Sequence, residues 1–591
     1  MAISRREVLR GGGIAAGAAL VADGGAEAAA PALPRRWSRE ADVVVVGGGA
    51  VGMVAAIVAR EAGCSVILLE AEPHAGGHAI CSGGNVPLGG GTSVQKKYGI
   101  ADSPDLLFRD LTDWTVVEPN GAGDYRFNDR EIIRAFADHS AATFEFLLAH
   151  GVRFADKAPD NFGGLSIGAS VPREMHAVSV DYPLVQTGKP ASAADRLTAS
   201  TGNGLMHPLI AAAGKAGVQV LLEHRMTALH RRPGGRVEGV SAVHKGQALT
   251  FRARKAVILA TGGSTGNVEF RRMFDPRLTE EYCGLAGMPW SNQDASGEIA
   301  GMAVGAALWG LANQTGEFGW SVTKAGQIGT RYGYTNMTWE PGSPVFDKAG
   351  AMGLYVHDWQ DLILVNMLGQ RFYDETGGQF SANNAGSLKG YVQDDWRNAA
   401  NVAYRPQNFL NAAMAGVGDG HNGGGPIWAI FDADGAAREK WITEPPHVDV
   451  KNGFFFEAGS LGALAARIAN PHQRLPMPPA ALEQTVARYN GFVDAGVDAD
   501  FAKPRPLHKI AKPPFYAAWA TPVVHDSRAG LRINAACQVV DMGGKVIPGL
   551  YCGGESAGGF SQHGLARATC QGFIAGHAAA AEIATTQRTS T

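Results

Sequence analysis

The pattern of apolar residues near the start of the chain predicts a buried strand, a helix and a second buried strand. Asp42 is followed by four consecutive valines, Val43 to Val46, a run typical of a strand buried on both faces of a parallel sheet. A helix is predicted from Ala50 to Ala62. The second strand, Ile67 to Leu69, ends at Glu70. This order of elements predicts an α/β fold.

Three glycines between the first strand and the helix indicate a phosphate-binding turn. Gly47, Gly49 and Gly52 have the spacing G-x-G-x-x-G, which lets a tight turn bring bare backbone close to a pyrophosphate. The N-terminal end of the helix would face the phosphates, and Glu70 would hold the hydroxyls of an adenosine ribose. A glycine-rich structural turn is the alternative, but the strand, the helix and the acid all agree with the binding motif. A dinucleotide is the predicted ligand.

Later segments predict further elements around the same sheet. A helix from Asp129 to His150 has an apolar face of core residues, and another helix begins at Gly202. A short strand is predicted at Val218 to Leu222. Two segments separated by a glycine turn, Val237–Val243 and Ala248–Ala253, predict a hairpin.

Two more buried strands run into glycine turns, one in mid-chain and one near the end. The first is Ala256 to Leu259, followed by Ala260–Gly263. The second is Gly549 to Cys552, followed by Gly553–Glu555. The stretch from Pro73 to Asn85 is too rich in glycine for a helix or an ordinary strand. We expect it to be a loop whose backbone amides approach a flat ligand closely.

Composition limits the classes of partner. The chain has 591 residues, 45% of them hydrophobic, and a formal charge of -3, so two or more domains and a small-molecule ligand are expected, and nucleic acid is not. Its six cysteines form neither a C-x-x-C pair nor a C-x-x-C-H haem attachment site. If the protein carries out a redox reaction, its electrons must therefore leave through a separate carrier. The cysteines are predicted to be buried and reduced.

The first 30 residues resemble a twin-arginine export signal. Arg5-Arg6 precedes a mildly apolar segment, Gly11 to Ala22, and the small-residue run Ala26 to Ala30. The apolar segment is much shorter than the roughly 20 residues of a membrane span, so cleavage is expected rather than anchoring. A disordered basic tail is the alternative. The signal predicts a periplasmic protein without a membrane span.

Four motifs occur in the order found in FAD enzymes similar to the fumarate reductase flavoproteins. They are the fingerprint at Gly47–Gly52, the Gly76–Gly84 loop, the Ala260–Gly263 turn and the Ile547–Gly559 segment. The 3-ketosteroid Δ1-dehydrogenases belong to the same superfamily, and the resemblance extends over about 40 to 585. It implies FAD rather than NAD. The residues implied to bind FAD are Gly47, Gly49, Gly52, Glu70, Gly77, His78, Ser82, Gly83, Gly84, Ala260, Thr261, Gly262, Gly554, Glu555 and Gln571.

The stretch 313–514 is similar in its order of segments to the capping domain of the fumarate reductase group. The resemblance implies a Rossmann-like FAD-binding domain, residues 40–312 and 515–585, interrupted by an inserted α+β capping domain. Closure of the cap would exclude water, and the active site would lie at the seam. The aromatic residues of the cap fit a ring-containing substrate or an ordinary core, and a core is favoured.

Two segments align with substrate-binding positions of that group. Thr521–His525 matches a T-P-x-x-H motif whose histidine binds a carboxylate, and His563–Arg567 matches an H-G-x-x-R motif whose arginine grips it bidentately.

The proton-donating arginine of fumarate reductases lies four residues after a glutamate, but here Gln379 follows Glu375 at that spacing. A glutamine is no acid, so fumarate is not the predicted substrate. The remaining candidates for proton transfer are Tyr373, His563, His525 and Tyr516.

The resemblance implies an FAD-dependent oxidoreductase that acts on a carbon–carbon bond next to a carbonyl or carboxylate. The alternatives are a 3-ketosteroid-type dehydrogenase, a flavin-dependent oxidase or alcohol dehydrogenase, and a flavin-binding electron carrier, which would not need a cap. The FAD is predicted to be non-covalent, because the spacing from His78 to Gly83–Gly84 is one residue shorter than in enzymes that link a histidine to the flavin. A cytochrome or quinone-linked carrier is expected, and no metal is predicted.

Overall fold

A computed structural model of the chain describes residues 33–82, 84–112, 128–160, 170–178, 180, 202–274, 292–309, 315–317, 356, 358–372, 374–375, 426–445, 447–520, 523–527, 529–560 and 564–584. The strands are β1 (Arg39–Val46), β2 (Val66–Leu69), β3 (Asn85–Pro87), β4 (Glu174–His176), β5 (Gln219–Leu221), β6 (Arg225–Arg231), β7 (Val237–His244), β8 (Gln247–Leu259), β9 (Leu308–Trp309), β10 (Thr315–Glu317), β11 (Ile363–Val365), β12 (Trp428–Asp432), β13 (Phe455–Ala458), β14 (Phe515–Trp519), β15 (Val523–Asp526), β16 (Gly530–Leu531), β17 (Gln538–Val540) and β18 (Val546–Cys552).

The α-helices are α1 (Ala50–Glu61), α2 (Ser93–Lys97), α3 (Pro104–Asp110), α4 (Arg130–Ala149), α5 (Asn203–Ala216), α6 (Val268–Arg271), α7 (Ser296–Ala303), α8 (Ala433–Glu439), α9 (Leu461–Arg467), α10 (Pro479–Ala495) and α11 (Leu565–Ala581). Short 3-10 turns cover His78–Cys81, Trp359–Asp361 and Gly554–Ser556.

The main sheet has the strand order β17-β18-β8-β1-β2-β5, and the neighbours from β18 to β5 are parallel. Val43–Val46 pair with Val66–Leu69 on one side, and their other neighbours are Ala256–Leu259. All four valines are buried, as expected for a strand with a neighbour on each side inside the sheet. The predicted buried strand and the α/β class are confirmed.

Helices α1 and α11 pack closely because α11 carries glycines at the contact. A Cβ on Gly572 would lie 2.6 Å from the carbonyl oxygen of Val51, and one on Gly576 would lie 2.8 Å from that of Ala55. The absence of side chains therefore lets the two backbones approach each other. This packing holds the C-terminal part of the chain against the first helix of the fingerprint.

A second sheet contains strands from the middle of the chain. Its order is β11-β12-β14-β13, and every pair is antiparallel. Trp428 and Trp519 are fully buried in its core, and their rings meet edge to face. β14 places residues 515–519 in this sheet, directly beside β12.

Beneath the second sheet lies a buried cluster of charges, formed by Arg371, Glu375, Asp498 and Lys503. Glu375 accepts hydrogen bonds from Arg371 at 2.9 and 3.0 Å and lies 3.3 Å from Lys503 Nζ. Arg371 also donates to Asp498 at 2.9 Å. Burial by itself would raise the pKa of Glu375, but the charges of Arg371 and Lys503 outweigh it and lower the pKa to about 2. The cluster holds the Gly369–Glu375 segment in place.

Two predicted strands, Ala248–Ala253 and Ala256–Leu259, form one continuous strand, β8. In the sequence, the polar pair Arg254-Lys255 separates the two apolar segments that are predicted as strands. In the structure these residues lie at a β-bulge, where the register against β1 shifts between Ala41 and Val43. Arg254 donates to Asp42 at 3.0 Å there, so its charge is neutralised within the sheet.

The stretch from Pro73 to Asn85 is also more regular than predicted, because a 3-10 turn covers His78–Cys81 and β3 begins at Asn85. The predicted helix at 129–150 is confirmed, with Asp129 capping its N-terminus.

Among the side chains that the structure describes, Cys64, Cys537, Cys552 and Cys570 are buried and form no disulfide. In the described part of the chain, no helix has both the length and the apolar character of a membrane span.

Candidate functional site

The three fingerprint glycines have different physical roles. Gly47 has φ +107°, and a Cβ there would lie 2.1 Å from the carbonyl oxygen of Ala260. A Cβ on Gly52 would lie 1.9 Å from the carbonyl oxygen of Gly47, so Gly52 lets α1 pack on the turn. A Cβ on Gly49 would meet only backbone atoms of Gly76–Gly77, at 4.0 Å. Gly47 and Gly52 close the turn, and Gly49 leaves space beside it for a ligand.

Glu70 connects the end of β2 to this turn. Its Oε2 accepts a hydrogen bond from the backbone N–H of Gly48 at 2.6 Å, and its Oε1 accepts one from Glu72 at 2.9 Å. Burial raises the pKa of the Glu70 carboxyl, although both backbone donors act to lower it. Glu70 also lines a groove at the ends of β1, β2 and β8. The position of Glu70 at the end of β2 is the one that the sequence predicts, and its contact with a ribose stays a prediction.

The outer edge of the groove is bridged by an ion-pair network that the sequence did not predict. Arg225 donates to Asp294 at 2.8 Å and to Glu72 at 3.2 Å. Asn292 also donates to Glu72, at 3.0 Å. All four residues line the groove. Three segments that are distant in sequence thus meet at this groove.

One hydroxyl joins the two later glycine turns. Ser556 is fully buried, and its Oγ lies 2.9 Å from Thr261 Oγ1. The same oxygen accepts hydrogen bonds from the backbone N–H groups of Gly262 and Gly263 at 3.1 and 3.2 Å. The Ala260–Gly263 turn and the Gly554 turn, which the resemblance assigns to FAD binding, therefore lie side by side. Ser556 was missed, although its place directly after Gly554-Glu555 is a usable signal.

Gln293 brings His78 and Glu555 together. Its Nε2 lies 2.6 Å from Glu555 Oε2, 2.9 Å from the Gly262 carbonyl oxygen and 3.0 Å from His78 Nδ1. His78 Nδ1 and Glu555 Oε1 are 3.4 Å apart. Three residues predicted from separate motifs, His78, Gly262 and Glu555, therefore surround one amide. Nothing in the sequence pattern around Gln293 indicated this role.

The Gly76–Gly84 loop lies against the fingerprint. A Cβ on Gly77, which has φ +51°, would lie 3.2 Å from the Cα of Gly49. Ser82 Oγ donates to the Ala79 carbonyl at 2.8 Å and accepts from the Gly84 N–H at 3.3 Å. Gly83 lies outside the described residues. The loop therefore forms one wall of the space beside Gly49.

Gln571, on α11, is hydrogen-bonded to the Gly554 turn. Gln571 Oε1 accepts from the Gly554 N–H at 2.7 Å, and Gln571 is 1% exposed. Its Nε2 is buried and has no hydrogen-bond partner within the described ranges, so it is free to donate to a bound ligand. The open cradle at Gly49, the buried Glu70 carboxyl and this buried donor all fit a dinucleotide such as FAD.

Arg567 has a different environment from the one the sequence predicts. It is 1% exposed, and its guanidinium donates to the carbonyls of Gly554 at 2.6 Å, Phe560 at 3.1 Å and Ser527 at 3.3 Å, and also to that of Ala557. These bonds fix the loop between the Gly554 turn and α11. Its contact with a substrate carboxylate stays a prediction.

For the remaining predicted site residues, the structure describes the side-chain environment of Tyr516 alone. His525 is part of β15, which pairs with β10, and the structure does not describe its side chain. His563, Tyr373 and Gln379 lie outside the described residues. Tyr516 is in the second sheet, where its ring stacks on Phe431 with centroids 5.2 Å apart, and burial raises the pKa of its phenol. A base would need a lower pKa, so this setting gives no support to Tyr516 as the proton-transfer residue.

Comparisons with known proteins agree with this geometry. The sequence profile of the family described as FAD binding domain matches residues 42–570. Urocanate reductase of Eggerthella lenta is 27% identical over 542 residues, which cover 90% of this chain and 72% of that protein. The 3-oxosteroid 1-dehydrogenase of Mycobacterium tuberculosis is 26% identical, with 88% and 93% covered. The open conformation of a flavocytochrome c3 fumarate reductase has the same fold, with TM-score 0.60, 22% identity, and 92% and 78% covered.

Proposed function

This chain belongs to the FAD-binding domain family, and from that premise we propose that it is an FAD-dependent oxidoreductase. It adds or removes hydrogen across a carbon–carbon bond next to a carbonyl or carboxylate. The observation that carries the proposal is the convergence of the fingerprint and the Ala260–Gly263 turn on one groove, with the Gly554–Ser556 turn hydrogen-bonded to the Ala260–Gly263 turn. The relatives named as urocanate, fumarate and 3-oxosteroid enzymes act on bonds of this kind.

Bound FAD supplies the hydride chemistry, and the residues of the chain hold and orient it. Gly49 admits the pyrophosphate, Glu70 accepts from the ribose, and Gln571 donates from α11. Arg567 keeps the Gly554–Phe560 loop in one conformation through its bonds to backbone carbonyls. Such preorganisation lowers the cost of arranging cofactor and substrate at the moment of reaction.

The second sheet belongs to the proposed capping domain. Its strands β11 to β13 come between β8 and β18 in sequence, and among the described strands they pair with β14 and with one another. A cap at this point excludes water from the reacting atoms when it closes. The domain division at 40–312, 313–514 and 515–585 is part of the proposal, with the boundary at 514 moved to follow β14, because Phe515–Trp519 pairs within the second sheet.

The substrate is proposed to be an unsaturated or saturated carboxylate other than fumarate, because Gln379 stands where the proton-donating arginine is expected. His525 and Arg567 would hold the substrate's oxygen atoms. Proton transfer would fall to Tyr373, His563 or His525, and Tyr516, stacked on Phe431 in the second sheet, is the weakest of the four predicted candidates. A second candidate is a ring ketone, and the existing bonds of Arg567 to backbone carbonyls favour it, because they occupy the guanidinium that a carboxylate would need.

The proposed reaction is tested by watching the flavin absorbance under anaerobic conditions. Unsaturated acids are added to the reduced protein, and saturated acids, steroids and other cyclic ketones to the oxidised one. Reoxidation or bleaching by one compound identifies the substrate class. Formation of a ketone from an alcohol, or rapid reduction of oxygen, would favour the alcohol dehydrogenase or oxidase alternative. No response to any compound would favour an electron carrier.

Arg567→Lys is expected to separate carboxylate binding from a purely positional role. If the guanidinium grips a substrate carboxylate, the variant loses kcat/KM roughly ten- to a hundredfold for the acid, because a hydrogen bond to a charged group is lost. The methyl ester of the same acid should be affected much less. The control is the FAD content of the variant, which reports damage to the loop. Equal losses for acid and ester would contradict the carboxylate assignment.

The FAD is proposed to be bound without a covalent link. His78 Nδ1 is already within hydrogen-bond distance of Gln293 and close to Glu555, which supports a polar role for this histidine. Acid precipitation is expected to release all of the yellow colour into the supernatant. A pellet that stays yellow would contradict this and identify a covalent adduct after peptide mapping.

The compartment is also a proposal. A twin-arginine signal in residues 1–30 would export the folded, FAD-loaded protein to the periplasm, and electrons would pass to or from a cytochrome or a quinone-linked carrier. The signal lies outside the described residues.

A further inference from the structure

Glu298, on helix α7, is a buried acid that the proposed reaction does not use. Its side chain is fully buried, and neither carboxyl oxygen has a hydrogen-bond partner among the residues that the structure describes. An isolated ionised carboxylate is costly to bury, so burial favours the protonated form of Glu298. Groups of this kind cluster at functional sites.

Helix α7 begins directly against the cofactor-binding turn. A Cβ on Gly297 would lie 2.2 Å from the Oγ1 of Thr261, so the first turn of the helix and the Ala260–Gly263 turn are in close contact. The loop before α7 carries Gln293 and Asp294, both of which line the groove. Glu298 thus lies next to residues that line the groove of the predicted FAD site, but it does not line the groove itself.

The charges around Glu298 all disfavour its ionisation. Burial is the main cause that raises the pKa of Glu298, to about 8. The backbone N–H of Glu298 itself acts to lower the pKa, although it is not placed well enough to make a hydrogen bond, and the negative charges of Asp294 and Glu555 raise the pKa further. Cys552 on β18 is the neighbouring thiol, and the Glu298 charge is among the causes that raise the Cys552 pKa.

The cations on β6, which packs against α7, are engaged elsewhere. Arg225 pairs with Asp294 and Glu72. Arg231 donates to the carbonyls of Gly235 and Val304, and the ring of His230, the other titratable group of β6, lies 2.7 Å from Ser241 Oγ through its Nε2. The other strand against α7, β16, consists of Gly530 and Leu531 and carries no charge. No neighbouring cation therefore offsets the burial of Glu298 in the described part of the chain.

We infer that Glu298 is a proton-uptake group whose protonation is linked to the oxidation state of FAD bound in the adjacent groove. The inference rests on the proposed function, because it needs an FAD that is reduced and reoxidised there. Two electrons from an external reductant increase the negative charge on the cofactor. When Glu298 is ionised, its carboxylate then takes one proton from water, which forms an O–H bond and neutralises the added charge. At neutral pH the acid is already protonated and takes up nothing.

The test is a redox titration of the purified holoprotein across pH 6 to 10, with dithionite as reductant and a reference dye. Above about pH 8, the reduction potential of FAD in the wild type is expected to fall with pH more steeply than the flavin alone requires. The additional slope is about 30 mV per pH unit, which is a tenfold change in the reduction equilibrium for a two-electron couple. Glu298→Gln should lack this extra slope. Glu269→Gln is the control, because Glu269 is exposed and lies near the same turn. Equal slopes for wild type and Glu298→Gln would overturn the inference.

A second measurement needs no variant. Unbuffered wild-type protein is reduced at about pH 7 and about pH 9.5, and the protons taken up per FAD are counted with an indicator dye. The inference expects uptake beyond that of the flavin itself only at the higher pH. The absence of this excess would overturn it. Both measurements report on FAD without any substrate, so a failed substrate screen does not affect them.

Discussion

Gly49→Val is expected to fold normally and to contain no FAD. The nearest atoms to a Cβ at this position are 4.0 Å away, and the backbone of Gly49 has φ -80°, so the apoprotein tolerates the side chain. The valine would instead fill the space that the pyrophosphate needs. The measurement is the ratio of flavin absorbance to protein, together with a circular dichroism spectrum. A variant that retains a full complement of FAD would refute the binding assignment.

Two further glycines provide controls for this experiment. Gly459 is exposed and has no atom within 4 Å of a built Cβ, so Gly459→Val should keep both fold and FAD. Gly52→Val should fail to fold, because its Cβ would lie 1.9 Å from the carbonyl oxygen of Gly47. Loss of cofactor with an intact fold is therefore expected only at Gly49.

Glu375→Ala is expected to cause the largest loss of stability. It leaves Arg371 and Lys503 buried without their main counter-charge, and breaking a buried ion pair from one side costs about 3–5 kcal/mol. Chemical denaturation measures the change in the free energy of unfolding. Asp500→Ala is a matched control, because it breaks an ion pair with Arg488 that is largely exposed and should change little. Similar losses for the two variants would contradict the role given to the cluster.

The same glutamate should also affect stability in acid. Its folded pKa, about 2, lies below the ordinary value of 4.5, so its contribution is fully present above pH 4.5. The contribution is lost as pH falls from about 4.5 to 2. Glu375→Gln should therefore flatten the acid limb of a plot of stability against pH.

The parts of the fold that the sequence predicted are those governed by local patterns. Four adjacent valines have few stable arrangements other than a strand inside a sheet, and Asp129 marks the start of its helix by capping it. The fingerprint also succeeded because steric contacts force glycine at positions 47 and 52. In these cases the physical constraint acts over a few residues and leaves a visible spacing.

The parts that the sequence missed depend on contacts between distant segments. Ser556 bonds to a turn almost 300 residues earlier in the chain, and Gln293 bonds to His78 and Glu555 from a third segment. No periodicity records such pairs. Glu298 lies in a helix whose sequence gives no sign that the carboxyl points inward. The bonds of Arg567 to backbone carbonyls could not be predicted either, because the H-G-x-x-R motif specifies residue types and not their backbone contacts.

The place of β18 beside β8 determines when the groove can be completed during synthesis. Roughly 290 residues separate the end of β8 from the start of β18, which a ribosome adds in roughly 15–60 s. Until then, the apolar edge at Val257–Leu259 has no strand on that side. Such an edge can pair wrongly with another chain until β18 covers it. Cofactor loading is therefore a late, post-translational event, and a premature stop codon near the end would abolish it while leaving the fingerprint intact.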